Sequence, residues 1–255
     1  MSAGPRCVEV NWPAPARVRA TFTTRRGGVS SSPWASLNLA SHVGDDPLAV
    51  ACNRAGLVAS LGLQHEPCWL EQIHSDLLLN LDDPACARRG DAAITSVPGR
   101  VATVMVADCL PVLLCDRHGR QVAAVHAGWR GLACELIDKT VQAFRAPPAD
   151  LIAWLGPAIG LTAYAVGDSL RARLVALDAR NASAFQRIDQ QWHMDLAALA
   201  ALQLAAAGVT AVSASGVCVH RDAQNYFSYR RDGETGRMAA LVWLENSSLS
   251  DLPLG

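Results

Sequence analysis

Three runs in the middle of the chain, 101–107, 111–115 and 122–125, are almost wholly apolar, which predicts strands covered on both faces. His118-Gly119 falls between the second and third runs, where a two-residue hairpin turn belongs. That turn sets Pro111 opposite His126 and puts Cys109, two residues further along, on the same side of the sheet as His126. Diagonal neighbours of this kind have side-chain roots roughly 7–8 Å apart. A metal ion bonded at about 2.3 Å to a thiolate and about 2.0 Å to an imidazole nitrogen spans such a gap. A bulge at Pro111, which has no N–H for a ladder, would break the parity.

Elsewhere the pattern predicts a strand over 18–23 that ends in the Arg25-Arg26-Gly27-Gly28 turn, and a helix over 48–61 started by Asp46-Pro47. The apolar 67–70 predicts a strand that carries His74 near its end and pairs with 77–81. A charged loop over 85–90 follows, and 91–95 leads into the central hairpin. Gly131 opens a helix to about residue 144, with Leu132, Leu136, Ile137, Thr140 and Val141 on one face. His126, Trp129 and Arg130 then sit at a strand-to-helix junction, where unpaired backbone amides favour an anion.

Residues 151–155 predict a buried strand, 168–177 a helix opened by Gly167-Asp168-Ser169, and Met194-Asp195 the start of an Ala/Leu helix closed by Gly208. A strand returns over 209–219, and a hairpin through Asp232-Gly233 joins 226–231 to 238–244. On such a hairpin only one of Arg230 and Arg231 faces inward. These elements describe an α/β protein: a single domain over 1–255, a layered mixed β-sheet with helices packed outside. Residues 1–17 form an extended, Pro-rich lead-in and 246–255 a loose tail.

The composition narrows the partners. With 51% hydrophobic residues, 18% charged and a formal net charge of -1, the chain lacks the basic balance of a nucleic-acid binder, so a small molecule is the expected ligand. The longest apolar stretch is interrupted by Asp108 and is too short for a bilayer, and no secretory leader is visible. The eight cysteines are spread singly without CxxC spacing, which predicts free thiols in a reducing cytoplasm.

Candidate chemistry concentrates in 107–131. Taken singly, Cys109 reads as a small core hydrophobe and the histidines as core or loop residues; taken together, Cys109 and His126 need a third donor. Glu71-Gln72-Ile73-His74-Ser75 is the candidate segment. Asp108 reads as a hydrogen-bond partner of the ligands, a general acid, or a strand-end carboxylate. Arg130 suits a phosphate or carboxylate, against an ion pair with Glu135. Arg25-Arg26 reads as a solvated loop, Asn38 and His42 as loop formers, and Met105 as a core methionine.

Several strings carry a more specific signal. They are Thr24-Arg25 with Gly27-Gly28-Val29-Ser30, Ser36-Leu37-Asn38-Leu39 with Val43-Gly44-Asp45-Asp46, and Gln72-Ile73-His74. ADCLPVLL from Ala107 and HAGWRG from His126 are the most specific, followed by Gly156-Pro157-Ala158-Ile159-Gly160, Tyr164-Ala165-Val166-Gly167, and FSYRRDG with Thr235-Gly236-Arg237. Together they resemble the purine nucleoside phosphorylase and laccase-domain family, whose proteins are also called polyphenol oxidases or peptidoglycan editing factors.

The resemblance implies a zinc site on His74, Cys109 and His126, with copper as the alternative metal. It implies Asp108 and Arg130 as catalytic residues and Arg25, Asn38, Gln72 and Arg231 as substrate-binding residues. The implied reaction is phosphorolysis of adenosine, inosine, guanosine or methylthioadenosine to free base and (deoxy)ribose 1-phosphate, with adenosine deamination beside it. Its partners are a purine nucleoside and phosphate, with no nucleic acid or membrane; monomer and homodimer both stay open. Three rival readings use the same site: an amidase acting on an L-serine-containing peptidoglycan precursor, a copper phenol oxidase, and a non-catalytic protein whose metal is structural. A four-copper oxidase needs more ligands than seven histidines readily supply. One departure stands out: the family's Cys-Thr is Cys218-Val219 here.

Overall fold

The apolar runs become strands of two stacked sheets. The computed structural model describes residues 4–246, so all but the first residue of the expected tail lies outside the described residues. In chain order these form β1 (Cys7–Glu9), β2 (Val18–Thr23), α1 (Pro47–Leu61), β3 (Leu78–Asn80), β4 (Ala92–Thr95), β5 (Val101–Val106), β6 (Leu110–Asp116) and β7 (Val122–Ala127). Then come α2 (Trp129–Ala133), α3 (Leu136–Gln142), β8 (Leu151–Leu155), β9 (Ala165–Val166), α4 (Asp168–Leu177), β10 (Phe185–Ile188) and β11 (Gln191–Met194). The chain ends with α5 (Leu196–Ala206), β12 (Ala211–Ala214), α6 (Tyr229–Asp232) and β13 (Met238–Leu244). None of the described helices is long and apolar enough to cross a membrane.

One sheet runs β1-β2-β13-β5, a second β12-β8-β6-β7-β4-β3, and a small third β10-β11-β9. The first two pack face to face through Phe22, Val104, Leu113, Ala124, Trp154 and Ala240. The far face of the six-stranded sheet is covered by α2, α3 and α5 through Leu132, Ile137 and Leu199. The far face of the four-stranded sheet is covered by Leu57 of α1 with Leu37, Leu39 and Trp69. The expected α/β domain is therefore a four-layer stack, and every residue of β5, β6 and β7 is buried. The expected lead-in is more than a lead-in, because β1 pairs antiparallel with β2.

The central hairpin has the expected register, with Pro111 opposite His126 and Cys115 opposite Val122. Its turn is longer than two residues. The Asp116 carboxylate accepts the amides of His118, Arg120 and Gln121 at 2.7–2.8 Å, and Gly119 takes φ 62. A four-residue loop centred on the same point leaves the register unchanged.

Four expectations fail for identifiable reasons. Segment 67–70 forms no strand and does not pair with 77–81. Cys68 and Glu71 make single bridges to Ala102 and Arg89, and β3 pairs parallel with β4 instead. The helix expected over 131–144 is two short helices, split where Glu135 takes φ 59. No glycine or asparagine marks that break. The strand expected over 209–219 stops at Ala214, before Gly216 at φ 67. Finally, 226–231 is no hairpin arm, because both edges of β13 are taken by β2 and β5. Residues 229–232 close into a helical turn capped by the Ser228 side chain.

Candidate metal centre and its cavity

The ligand geometry starts from pairing across β4 and β7. Ala92 lies opposite Val125, so Asp91, one residue before β4, falls beside His126, whose amide donates to the Asp91 carbonyl at 2.7 Å. His126 Nδ1 donates to Asp91 Oδ1 at 2.8 Å, both groups being buried. With Nδ1 committed, Nε2 is the lone-pair nitrogen left for a metal.

Cys109 leads into β6 directly after Asp108, whose φ of 93 is strained for a side-chain-bearing residue. Three bonds hold that conformation. Asp108 Oδ1 accepts from Ser228 Oγ and Oδ2 from the Arg230 amide, each at 2.6 Å, while its carbonyl accepts from the Ile159 amide at 2.9 Å. Asp108 thereby fixes the 228–231 turn and, through its own backbone, aims Cys109. Gly128 completes the packing: a Cβ there would lie 3.0 Å from Cys109 Sγ and 3.4 Å from His74 Cδ2.

His74 comes from a loop rather than a strand end, with φ 58. Asp91 holds this loop as well. Its carboxylate accepts the amides of Ile73, His74 and Ser75 at 3.2, 3.0 and 2.6 Å, and the Ser75 hydroxyl at 2.7 Å. Gln72 pins the other side, its amide group exchanging bonds of 2.7 and 2.8 Å with the backbone of Met105. That exchange replaces a ladder on the edge of β5, which explains why the segment needs no strand.

The donor atoms of His74, Cys109 and His126 all lie within 4.8 Å of one another, and Cys109 Sγ is 4.0 Å from His74 Nε2. A tetrahedral ion with bonds of about 2.0–2.3 Å holds its ligands roughly 3.3–3.7 Å apart, so a modest closure of these side chains would bring them within its reach. In the metal-free centre the electrostatics favour a thiolate beside an imidazolium, whose Nε2 proton an incoming ion would displace. Burial alone would raise the Cys109 thiol, but His126 and His74 outweigh it and bring it down to about 6. Burial alone would lower His126, yet Cys109 and Asp91 lift it to about 9. Two imidazoles and a thiolate so arranged could hold a zinc or copper ion.

The three donors line a cavity of about 490 Å³, within the usual range for a small-molecule site. Trp129, Tyr164 and Tyr229 give it aromatic walls; Arg130, Arg230 and Arg237 give it cations; Gln72, Asp108 and His42 also line it. Of Arg230 and Arg231, it is Arg230 that faces the cavity. The expected dipole of a long helix behind Arg130 is absent, since α2 is five residues long; Arg130 instead lies over the Trp129 ring at 4.5 Å.

Three residues expected to bind substrate lie outside the cavity wall. Arg231 donates to the carbonyls of Val219, His220 and Tyr226 and pairs with Asp232. Asn38 is fully buried and bonds Asp45, Ala40 and the Arg237 amide. Arg25 donates to the carbonyls of Ala35 and Ala223 and covers the Phe227 ring at 4.6 Å. Arg25→Ala should therefore destabilise the fold by about 2 kcal/mol through the lost bonds and stacking, and leave the KM for phosphate unchanged. Denaturant melts beside steady-state kinetics test this; a raised KM with an unaltered melt would restore Arg25 to the site. Val219 is buried in the core between the sheets, so the family's threonine hydroxyl is not missing from the cavity.

Asp91 escaped the sequence reading because it stands one residue before a strand whose partner was unknown. Tyr164 belonged to a recognised string but carried no chemical signal. Burial, together with the negative charges of Cys109 and Asp108, pushes its hydroxyl up to about 12, so it stays a donor.

The family described as multi-copper polyphenol oxidoreductase laccase matches residues 19–245. A Pseudomonas aeruginosa protein named as a purine nucleoside phosphorylase is 48% identical over 238 residues, covering 92% of this chain and 97% of its own. An Escherichia coli protein named likewise is 45% identical over 234 residues, 91% of this chain and 96% of its own. The crystal structure of a Neisseria meningitidis protein superposes with a TM-score of 0.88 at 42% identity, covering 94% of this chain and 99% of that one. A match over nearly the whole length, in sequence and in fold alike, means that the chain belongs to this laccase-domain family, which includes proteins named as purine nucleoside phosphorylases.

Proposed function

We propose that this protein is a zinc enzyme that cleaves purine nucleosides with phosphate and also deaminates adenosine, working in the cytoplasm. The observation that carries the reading is the juxtaposition in one cavity of a His–Cys–His donor set, aromatic rings, and guanidinium groups that form no ion pair among the described residues. The names of the relatives point to the same substrates. Zinc bound by three protein ligands keeps a coordination position for water or substrate and supplies Lewis acidity there.

The chain's own residues supply the rest. Arg130, in no ion pair among the described residues, is placed to hold phosphate against the ribose anomeric carbon. The rings of Trp129, Tyr164 and Tyr229 offer faces for a purine. Tyr164 can donate a hydrogen bond to the departing base. Asp108 acts as a positioning residue, since both its oxygens already accept bonds. Zinc is preferred to a multi-copper arrangement because His74, Cys109 and His126 form the one such donor group among the described residues. A cytoplasmic location suits eight free thiols.

Incubating the purified, metal-analysed protein with adenosine, with and without phosphate, tests the reading. Adenine and ribose 1-phosphate should appear with phosphate, and inosine without it. Absence of both products from fully metallated protein would refute it. Arg130→Ala should raise the KM for phosphate about tenfold or more and leave deamination nearly unchanged. Equal loss of both reactions would remove Arg130 from the phosphate site.

A further inference from the structure

Phosphorolysis needs one phosphate, yet three guanidinium groups face the cavity. Each is carried on an aromatic ring: Arg130 over Trp129 at 4.5 Å, Arg230 over Tyr164 at 5.1 Å, and Arg237 beside Tyr229 at 5.8 Å. No carboxylate among the described residues pairs with any of them. The one acidic side chain in the wall, Asp108, is already engaged by Ser228 and the Arg230 amide.

Of the three, Arg230 also donates to the Ala165 carbonyl at 3.2 Å, and Arg237 shares the cavity wall with His42. Arg237 is also preset. One terminal nitrogen donates to the carbonyls of Thr235 and Gly236, at 2.8 and 3.0 Å, which leaves Nε and the other terminal nitrogen without a protein acceptor among the described residues. Its amide is held by Asn38 Oδ1 at 2.9 Å. Gly236 packs so tightly that a Cβ there would lie 2.7 Å from the Phe227 ring and 2.9 Å from Asn38 Cβ. A guanidinium fixed through its backbone, half-buried and with a free bidentate edge is built to receive an oxyanion.

We propose that the cavity carries a second anion subsite, formed by Arg237 and His42, that takes the 5′-phosphate of a purine nucleotide. This rests on the purine reading above and extends it: the 5′ end of the ribose lies away from the anomeric carbon where the attacking phosphate must sit. A 5′-phosphate therefore requires a cation separate from Arg130. Asn38 enters as a positioning residue through its bond to the Arg237 amide.

Titration calorimetry of the protein with its native metal, using adenosine 5′-monophosphate and adenosine as probes, tests the subsite. The nucleotide should bind about tenfold or more tightly than the nucleoside. Arg237→Gln should abolish that advantage and change adenosine binding less than about threefold, and His42→Ala should reduce it by about threefold or more. Should Arg237→Gln fail to fold, His42→Ala decides alone. Equal affinity for the two probes, or an advantage that survives these substitutions, overturns the proposal. So does an Arg237→Gln effect on the KM for inorganic phosphate as large as that of Arg130→Ala, because all the cations would then serve one phosphate. If adenosine is not turned over but the nucleotide binds through Arg237, the subsite stands and the activity falls. If adenosine turns over and the nucleotide gains nothing, the reverse holds.

Discussion

Cys109→Ser should strip the protein of metal and lower phosphorolysis and deamination together by more than about 100-fold. Loss of a group that only supports a ligand already costs about 10–100-fold, so loss of a ligand sets a larger effect. Serine keeps the volume but offers a hydroxyl that does not ionise near neutrality, whereas the Cys109 thiol is brought down to about 6 by its histidine neighbours against its burial. Metal analysis should show about one ion per chain in the parent and almost none in the variant. A chelator should lower the melting temperature of the parent, because an ion bound only by the folded state stabilises it by mass action, and should leave that of the variant unchanged. In chelated parent protein, the thiolate is present above about pH 6, so iodoacetamide should label Cys109 at pH 7 faster than the raised thiols Cys68 and Cys115, and added zinc should protect it. Full activity in metal-depleted Cys109→Ser would sink the metal reading.

Asp91→Ala should be the most destabilising change near the site, at about 3–5 kcal/mol, and should weaken metal binding about 10–100-fold. Asp91 is fully buried, and its two oxygens accept from three amides, the Ser75 hydroxyl and His126 Nδ1. Alanine would strand all of these donors. Burial by itself would raise this carboxyl, but His126 and the Ser75 donors hold it down to about 2. A depressed folded-state pKa contributes stability that is present above the ordinary carboxylate value of about 3.9 and is lost as pH falls through the folded value near 2. Parent stability should therefore fall by about 2 kcal/mol across that window, and the variant's should lack this component. Asp91→Asn keeps one acceptor oxygen and loses the charge, so it should fold better than alanine yet bind metal less well than the parent. An unaltered melt and metal affinity in Asp91→Ala would show that His74 and His126 are held by something else.

The shared side of Cys109 and His126 was legible because strand parity is a local property. Alternation with period two and one turn centre fix which residues share a face, and the longer loop did not disturb that centre. The helices starting at Pro47, Asp168 and Leu196 were legible for a similar reason, since caps and apolar spacing act within one or two turns. Arg25, Asn38 and Arg231 do not line the cavity, and their strings could not show this, because a charged or amide side chain in a specific string serves a ligand or a loop equally well. Only their partners distinguish the two, and those partners are backbone carbonyls and buried polar groups from other loops.

Sequence alone thus determined the strands of the central hairpin, the pairing of Pro111 with His126, and the residue types from which a metal centre could be built. Tertiary structure decided where the third donor side chain comes from, which arginines face the cavity, and that Asp91 joins two of the donors. These outcomes depend on contacts between segments far apart along the chain. Their energies come from burying and satisfying polar groups in one shared place, which no local periodicity encodes.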